Sequence, residues 1–200
     1  MAYNTSYTRG HPGKYGLCID WETSGSTFGG DSSKEWQGLS FGAVVFDTDT
    51  FEPVETMYRE LHFDDKKYKW SDEAAAIHGL TREHLKEHGV TREQALCDLL
   101  EMILKYWGPD QKIMLAGHNV GFDADFTNQL CEDFGMHLVF HHVMLDTSAA
   151  AFILIGKYRS NDVFDLLGNV VRTTHNALED ALIALSCMKT MKLIFSQALK

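Results

Sequence analysis

The chain has 200 residues, 44% hydrophobic and 23% charged, with 28 acids against 18 bases and a formal net charge of −10. A chain of that length buries roughly two thirds of the surface it exposes when unfolded, so one domain is expected to fold without a disulfide or metal staple. The acidic balance excludes a protein that coats nucleic acid by bulk electrostatics, but not an enzyme that meets nucleic acid through bound cations, which reverse the local sign of a carboxylate-lined cleft.

Residues 1–14 are polar, lack the apolar stretch of a secretion signal, and read as an N-terminal extension ahead of one domain over 15–200. Tyr15 to Trp21 predicts a buried first strand. Thr23 to Gln37 is rich in glycine and serine and reads as a loop. Leu39 to Phe46 and Val54 to Phe63 predict two more strands, with Asp47, Asp49 and Pro53 turning the chain between them. Turns this short imply antiparallel pairing of the three. The period then changes. Ser71 to Ile77 predicts a short helix and Thr91 to Trp107 a long one. Thr91 and Gln94 have capping-box spacing, and Ala95, Leu96, Leu99, Leu100, Ile103 and Leu104 share one helical face. A short strand over Ile113 to Ala116, a helix over Phe122 to Phe134, a strand over Val143 to Leu145, a helix over Thr147 to Ile155 and a closing helix over Ala177 to Leu193 complete the pattern. Strands first, then strands alternating with helices, indicate an α/β domain with a mixed sheet. The longest apolar run, Ala149 to Gly156, is far too short for a membrane span. Cys18, Cys97, Cys131 and Cys187 are scattered, which argues against zinc and for free buried thiols in a reducing cytosol.

Three acidic segments stand out. Asp20 and Glu22 are two apart on the first strand, so both project from one face at its C-terminal end. Asp123 and Asp125 fall where the helix after Ala116 begins, a place the helix dipole favours for acids. His175 and Asp180 are five apart, and converge only if His175 lies on the loop before the last helix. Thr173 and Thr174, poor interior helix formers, are consistent with that. Each segment alone has an ordinary reading: solvated strand-end acids, helix-start acids, a structural histidine. Asp125 reads as a helix-start residue, Asp146 as a strand-end or helix-cap residue, and His141-His142 as a solvated turn. Phe28 and Trp36 can stack unpaired bases or pin the loop to the body.

Together the segments resemble the DnaQ-like 3′–5′ exonucleases, the histidine (DEDDh) variant of the DEDD superfamily within the ribonuclease H-like fold. Asp20-Trp21-Glu22-Thr23 matches its first motif, His118-Asn119-Val120-Gly121-Phe122-Asp123 its second, and His175 through Asp180 its third. Ile77-His78-Gly79-Leu80-Thr81 is similar to a further element between the first two, and the likeness runs from about Tyr15 to Leu193. Asn176 stands where the tyrosine variant would place its tyrosine. The resemblance implies a ribonuclease H-like α/β fold with three early antiparallel strands and helices on both faces. It implies that Asp20, Glu22, Asp123 and Asp180 hold two divalent cations, Mg²⁺ or Mn²⁺, with His175 as general base. Thr23, Ile77, His78, Asn119 and Phe122 would contact substrate. The implied substrate is the 3′ end of single-stranded DNA, cut to nucleoside 5′-monophosphates, with RNA trimming as the alternative and an idle binding or scaffolding domain as a remote one. A homodimer, a replication or repair partner and a cytoplasmic location in a bacterial or phage-infected cell are compatible with it; membrane association is not expected. The segment Ser24–Gln37 is longer than the tight turn expected of compact family members.

Overall fold

The computed structural model describes residues 13–27, 31–108, 111–168, 172 and 175–198. The expected extension and Phe28 therefore lie outside the described residues, apart from Gly13 and Lys14, whose carbonyls accept hydrogen bonds from Thr48. Strand β1 (Tyr15–Thr23) precedes a one-turn helix α1 (Ser32–Glu35), then β2 (Gly38–Asp47) and β3 (Pro53–Glu60). Three helices follow: α2 (Asp72–His78), α3 (Arg82–His88) and α4 (Arg92–Tyr106). The chain continues through β4 (Leu115–Gly117), α5 (Val120–Glu132), β5 (Leu145–Asp146), α6 (Thr147–Ile155), α7 (Ser160–Gly168) and α8 (Ala177–Ala198). The five strands lie in the order β3-β2-β1-β4-β5; the first three pair antiparallel, while β4 and β5 run parallel to β1.

Helices cover both faces of this mixed sheet, and residue parity on β1 sorts its side chains between them. Leu17, Ile19 and Trp21 pack with Leu96 and Leu99 of α4 and Phe126 and Leu130 of α5. Cys18 points the other way, into a second core with Phe164 of α7 and Ala181, Ala184 and Leu185 of α8. Strand β2 divides likewise, Phe41, Ala43 and Val45 against Val44 and Phe46. Burial on both faces explains why these strands read as continuous apolar runs rather than alternating ones. Asp20 and Glu22 share parity with Cys18, so they face the α8 side at the strand's end.

Several expectations need correcting. The Thr23–Gln37 segment is not a plain loop: Thr23 ends β1, and α1 sits within it. Gln129 of α5 fastens that segment to the body, donating from Nε2 to the Trp36 carbonyl at 2.7 Å. Trp36 packs against the core and over Gly25, where a Cβ would come within 2.3 Å of its ring, so Trp36 pins the segment to the body. Helices α3 and α7 are additional to the pattern, and Val143–Leu145 is replaced by a two-residue strand further on. Thr91 does cap α4, accepting from the Gln94 amide at 3.1 Å, but the Gln94 side chain turns to Asp98 instead of closing the box. Leu104 is exposed, because the buried stripe of α4 is narrower than its apolar spacing. Cys97 is exposed on the same helix, whereas Cys18, Cys131 and Cys187 are buried; all four are free.

One contact sets where α8 begins. Gly42 pairs with Asp20 across β1 and β2, and a Cβ on it would lie 2.2 to 2.4 Å from the backbone of Leu178 and Ala177. Backbone cannot yield as a side-chain tip can. Gly42→Ala is therefore expected to destabilise the protein by about 3 kcal/mol, at the upper end of overpacking costs. Urea unfolding would measure this, and unchanged stability would show that α8 does not rest on the sheet at this point.

Candidate active site

The site forms where β1 and β4 end and α5 and α8 begin. Asn119, the N-cap of α5, takes a left-handed conformation (φ 60°, ψ 47°) that asparagine tolerates better than most residues. Asp146 stabilises this turn from the neighbouring strand, accepting from the amides of Asn119 at 3.1 Å, Val120 at 3.2 Å and Ser148 at 2.8 Å. It thus caps α6 and secures the start of α5 together. Asp123 follows within the first turn, and its Oδ1 accepts from the Trp21 amide between Asp20 and Glu22 at 2.9 Å. Asp180 sits in the first turn of α8 and His175 just before that helix, free of the helical geometry that would separate them. Asp20, Glu22, Asp123, His175 and Asp180 all line one cavity of about 190 Å³, together with Asn119 and Phe122. Glu22, His175 and Asp180 offer ligand atoms within 4.8 Å of one another.

Arg172, which sequence reasoning does not single out, enters the same cavity. Its guanidinium pairs with Asp180 Oδ2, donates to Ser160 Oγ at 2.9 Å and Asn161 Oδ1 at 2.6 Å, and covers the Phe164 ring at 4.7 Å. It also lies 3.4 Å from His175 Nδ1. A guanidinium can only donate, so in this arrangement Nδ1 carries the imidazole lone pair and accepts from Arg172, with Asp180 Oδ2 3.6 Å away. His118, Ser160 and Phe164 line the cavity as well. His118 already stood in the second motif. Arg172, Ser160 and Phe164 carry no sequence signal beyond residue type, because their place depends on contacts between distant segments.

Burial dominates the electrostatics. It pushes Glu22 up to about 7, with the Asp180 charge adding and Arg172 opposing. Burial likewise pushes Asp180 up to about 6, against the pull of Arg172. Asp20 is raised well above the usual carboxylate range by burial and by Asp123, Asp180 and Glu22. Asp123 is raised by burial despite the Trp21 amide. His175 is lowered, by burial first and then by Arg172, which keeps its imidazole neutral near pH 7. Among the described residues, Glu22 Oε1 and Asp180 Oδ1 are buried with no hydrogen-bond donor. Crowded, desolvated carboxylates with orphaned oxygens are the donor set that a hard divalent cation such as Mg²⁺ or Mn²⁺ fits.

The remaining sequence candidates lie outside the cavity lining. Thr23 is buried beside it, bonding Gly25 through its hydroxyl, and its carbonyl meets His78 Nε2 at 3.2 Å. His78 Nδ1 accepts the Leu80 amide at 3.0 Å, so both ring nitrogens are engaged within the protein. Ile77, next to it, is 55% exposed. Asp125 falls beyond the first turn of α5 and lines a different surface hollow. His141 and His142 stack tilted against each other, His141 accepting the Val143 amide as a turn residue does.

The profile of the RNase T exonuclease family matches residues 17–188. No functionally curated protein matches the sequence significantly. Among solved structures, the chain is similar to E. coli exonuclease I in complex with a dT13 oligonucleotide (TM-score 0.69, 17% identity), covering 92% of this chain and 42% of that one. It is also similar to the nuclease domain of 3′hExo, described as a DEDDh family member bound to rAMP (TM-score 0.64, 16% identity, 92% of each chain). The chain thus spans less than half the length of exonuclease I. At these identities the likeness establishes the fold.

The raised carboxyls carry a stability consequence. Unfolded, Glu22 titrates near 4.5, so between there and about 7 the folded state holds more protons. Without metal, its contribution is full below about 4.5 and lost as pH rises through about 7, a change on the order of 3 kcal/mol. The protein in EDTA should therefore melt at a lower temperature at pH 8 than at pH 5.5, and Mg²⁺ should raise Tm more at pH 8. Equal Mg²⁺ shifts at both pH values would argue that the cation binds elsewhere.

Proposed function

Because the chain belongs to the RNase T exonuclease family, of the DnaQ-like DEDDh kind that works from 3′ ends, we propose that it removes nucleotides from the 3′ end of single-stranded DNA as 5′-monophosphates. The observation that carries this reading is the convergence of Asp20, Glu22, Asp123, His175 and Asp180 on one small cavity with two orphaned carboxylate oxygens. Asp20, Glu22, Asp123 and Asp180 would hold two Mg²⁺ or Mn²⁺ ions, which when bound stabilise the attacking and departing oxygens of the phosphodiester. His175 is the general base that takes the proton of the attacking water. Its lowered pKa keeps the imidazole neutral, and so able to accept a proton, near neutral pH. Asp123, fixed to the Trp21 amide, holds its position against the repulsion of its neighbours.

In this reading Thr23, Ile77 and His78, which stand outside the cavity lining, contact the terminal nucleotide. The His78 ring is spent on holding Thr23 and the turn at Leu80, so its part in binding is to fix the backbone against which the terminal nucleotide rests. Exposed Ile77 supplies the apolar contact beside it. Asn119 and Phe122, on the cavity wall, meet the nucleotide before the last. The same chemistry on RNA is the second reading, favoured by the likeness to the 3′hExo nuclease domain bound to rAMP over 92% of both chains. Presence of all five active-site residues weighs against an idle binding domain. A homodimer, a replication or repair partner and a cytoplasmic location belong to this reading as well. Among the described residues no helix is long and apolar enough to cross a membrane.

Matched 5′-labelled single-stranded DNA, single-stranded RNA and duplex DNA, each with Mg²⁺, Mn²⁺ or EDTA, test the reaction directly. A metal-dependent ladder shortening from the 3′ end is expected, fastest on single-stranded DNA; faster loss of the RNA would select the second reading. Asp20→Ala and Asp123→Ala should abolish cleavage yet fold, with slightly higher stability in EDTA as like-charge repulsion is relieved. Normal turnover by either would remove the carboxylates from the reaction. His175→Ala should slow cleavage by roughly 10²–10⁴-fold, the range for loss of a general base. An unchanged rate from pH 6 to 9 would exclude that role.

A further inference from the structure

The catalytic cavity does not end at His118. His118, Asn119 and Ser160 also line a second, open groove of about 710 Å³, together with Tyr158, Arg159, Asn161 and Asp162, the last of which pairs with Lys157 at 3.9 Å. Most described arginines are committed elsewhere. Arg59 pairs with Asp98, Arg92 with Asp133 and Arg172 with Asp180, while Arg82 lies over the Phe63 and Trp70 rings. Arg159 alone among them has no ion pair, side-chain hydrogen bond or aromatic partner within the described residues. Beside it the Tyr158 ring is 57% exposed, with only the edge of Phe152 near it, centroids 6.4 Å apart. A guanidinium unpaired within the described residues, next to an exposed ring in a chain of net charge −10, is unusual placement for a surface that meets only water.

The groove wall is held rigidly to the catalytic wall. Ser160 and Asn161 both accept from Arg172, which itself holds Asp180. His118, between the two hollows, meets Thr147 Oγ1 at 2.8 Å through Nδ1 and packs edge-on against Phe164 at 5.3 Å. Thr23 and His78, buried and bonded to each other, line neither hollow. An enzyme that trims an end needs a stop on one side of the scissile bond and a track on the other.

We propose that this groove carries the single strand upstream of the scissile bond, with Arg159 on a backbone phosphate and the Tyr158 ring stacked on an unpaired base. The proposal rests on the exonuclease reading of the adjoining cavity. Both contacts are sequence-tolerant, since every nucleotide has a phosphate and every base a π face.

The test compares two substrates in Mg²⁺: a 5′-labelled single-stranded oligonucleotide, and the p-nitrophenyl ester of thymidine 5′-monophosphate, which fills the terminal site but has no upstream nucleotide. Arg159→Ala and Tyr158→Ala should each lower kcat/KM on the oligonucleotide about tenfold relative to the ester. Oligonucleotide binding is measured separately in Ca²⁺ across a salt series. There Arg159→Ala should flatten the dependence of log K on log[salt] by about 0.7, the share of one phosphate on a single strand, and Arg159→Lys should restore it. Tyr158→Phe should restore affinity lost in Tyr158→Ala. Equal losses on both substrates, or a salt slope unchanged by Arg159→Ala, would overturn the proposal. Wild-type protein that hydrolyses neither substrate would defeat the exonuclease reading, while the Ca²⁺ binding series would still decide the groove.

Discussion

Four carboxylates gathered below the surface repel one another and lose their hydration, and the fold around them has to hold them against both effects. Three attachments do so. Asp123 is fixed by the Trp21 amide, which belongs to the strand that carries Asp20 and Glu22. Asp180 is fixed by Arg172, a cation buried among α7, α8 and the cavity. The start of α8 is seated on the sheet because Gly42 has no side chain to push it away. Remove any one and the cluster can relax by spreading apart, which is the state a metal-free site of this charge favours. The two cores on either side of β1 provide the rigidity, since neither face of the strand is free to move into solvent.

Much of this arrangement is legible before any coordinates. The period-two spacing of Asp20 and Glu22 puts both on one face, and the placement of Cys18 and Ile19 in opposite cores bears that parity out. The ordering of strands before helices gives the mixed sheet. The requirement that His175 precede its helix is met, since α8 opens at Ala177. What stays hidden depends on contact rather than pattern. Helix α7 is nine residues long, with buried positions at Val163, Phe164 and Leu167, too short a run for its period to stand clear of neighbouring turns. Helix α3 is marked only by Thr81, which caps it through the His84 amide, and that residue is already absorbed by the motif around Ile77. Arg172 is one arginine in a stretch of ordinary composition, and nothing local says that its charge lies against Asp180.

The segment between β1 and β2 shows how composition misleads. Glycine and serine suggest a mobile loop, yet the described part is tied down by side chains that spend their polar groups on backbone. Ser24 Oγ donates to the Lys69 carbonyl and accepts the Gln37 amide, Gln37 bridges to His62 and Asp64, and Gln129 reaches the Trp36 carbonyl from α5. Glycine here serves close approach, with Trp36 lying over Gly25. Within the described residues the segment lines no part of the catalytic cavity, so its influence on that site is transmitted through α5 and the end of β1.

The pairing of β1 bears on the order in which the protein assembles. Its partner β2, and β3 beyond β2, are close neighbours in the chain, so this antiparallel meander closes small loops and can form early. The parallel pairing with β4 joins Leu17 to Leu115, and the carboxylate cluster is complete only when Asp180 arrives on α8. Both contacts close long loops, the steps that topology makes slow. On the proposed reading, cation affinity of this site would be a property of the finished fold, and in a refolding experiment the appearance of metal binding would time the docking of the last helix.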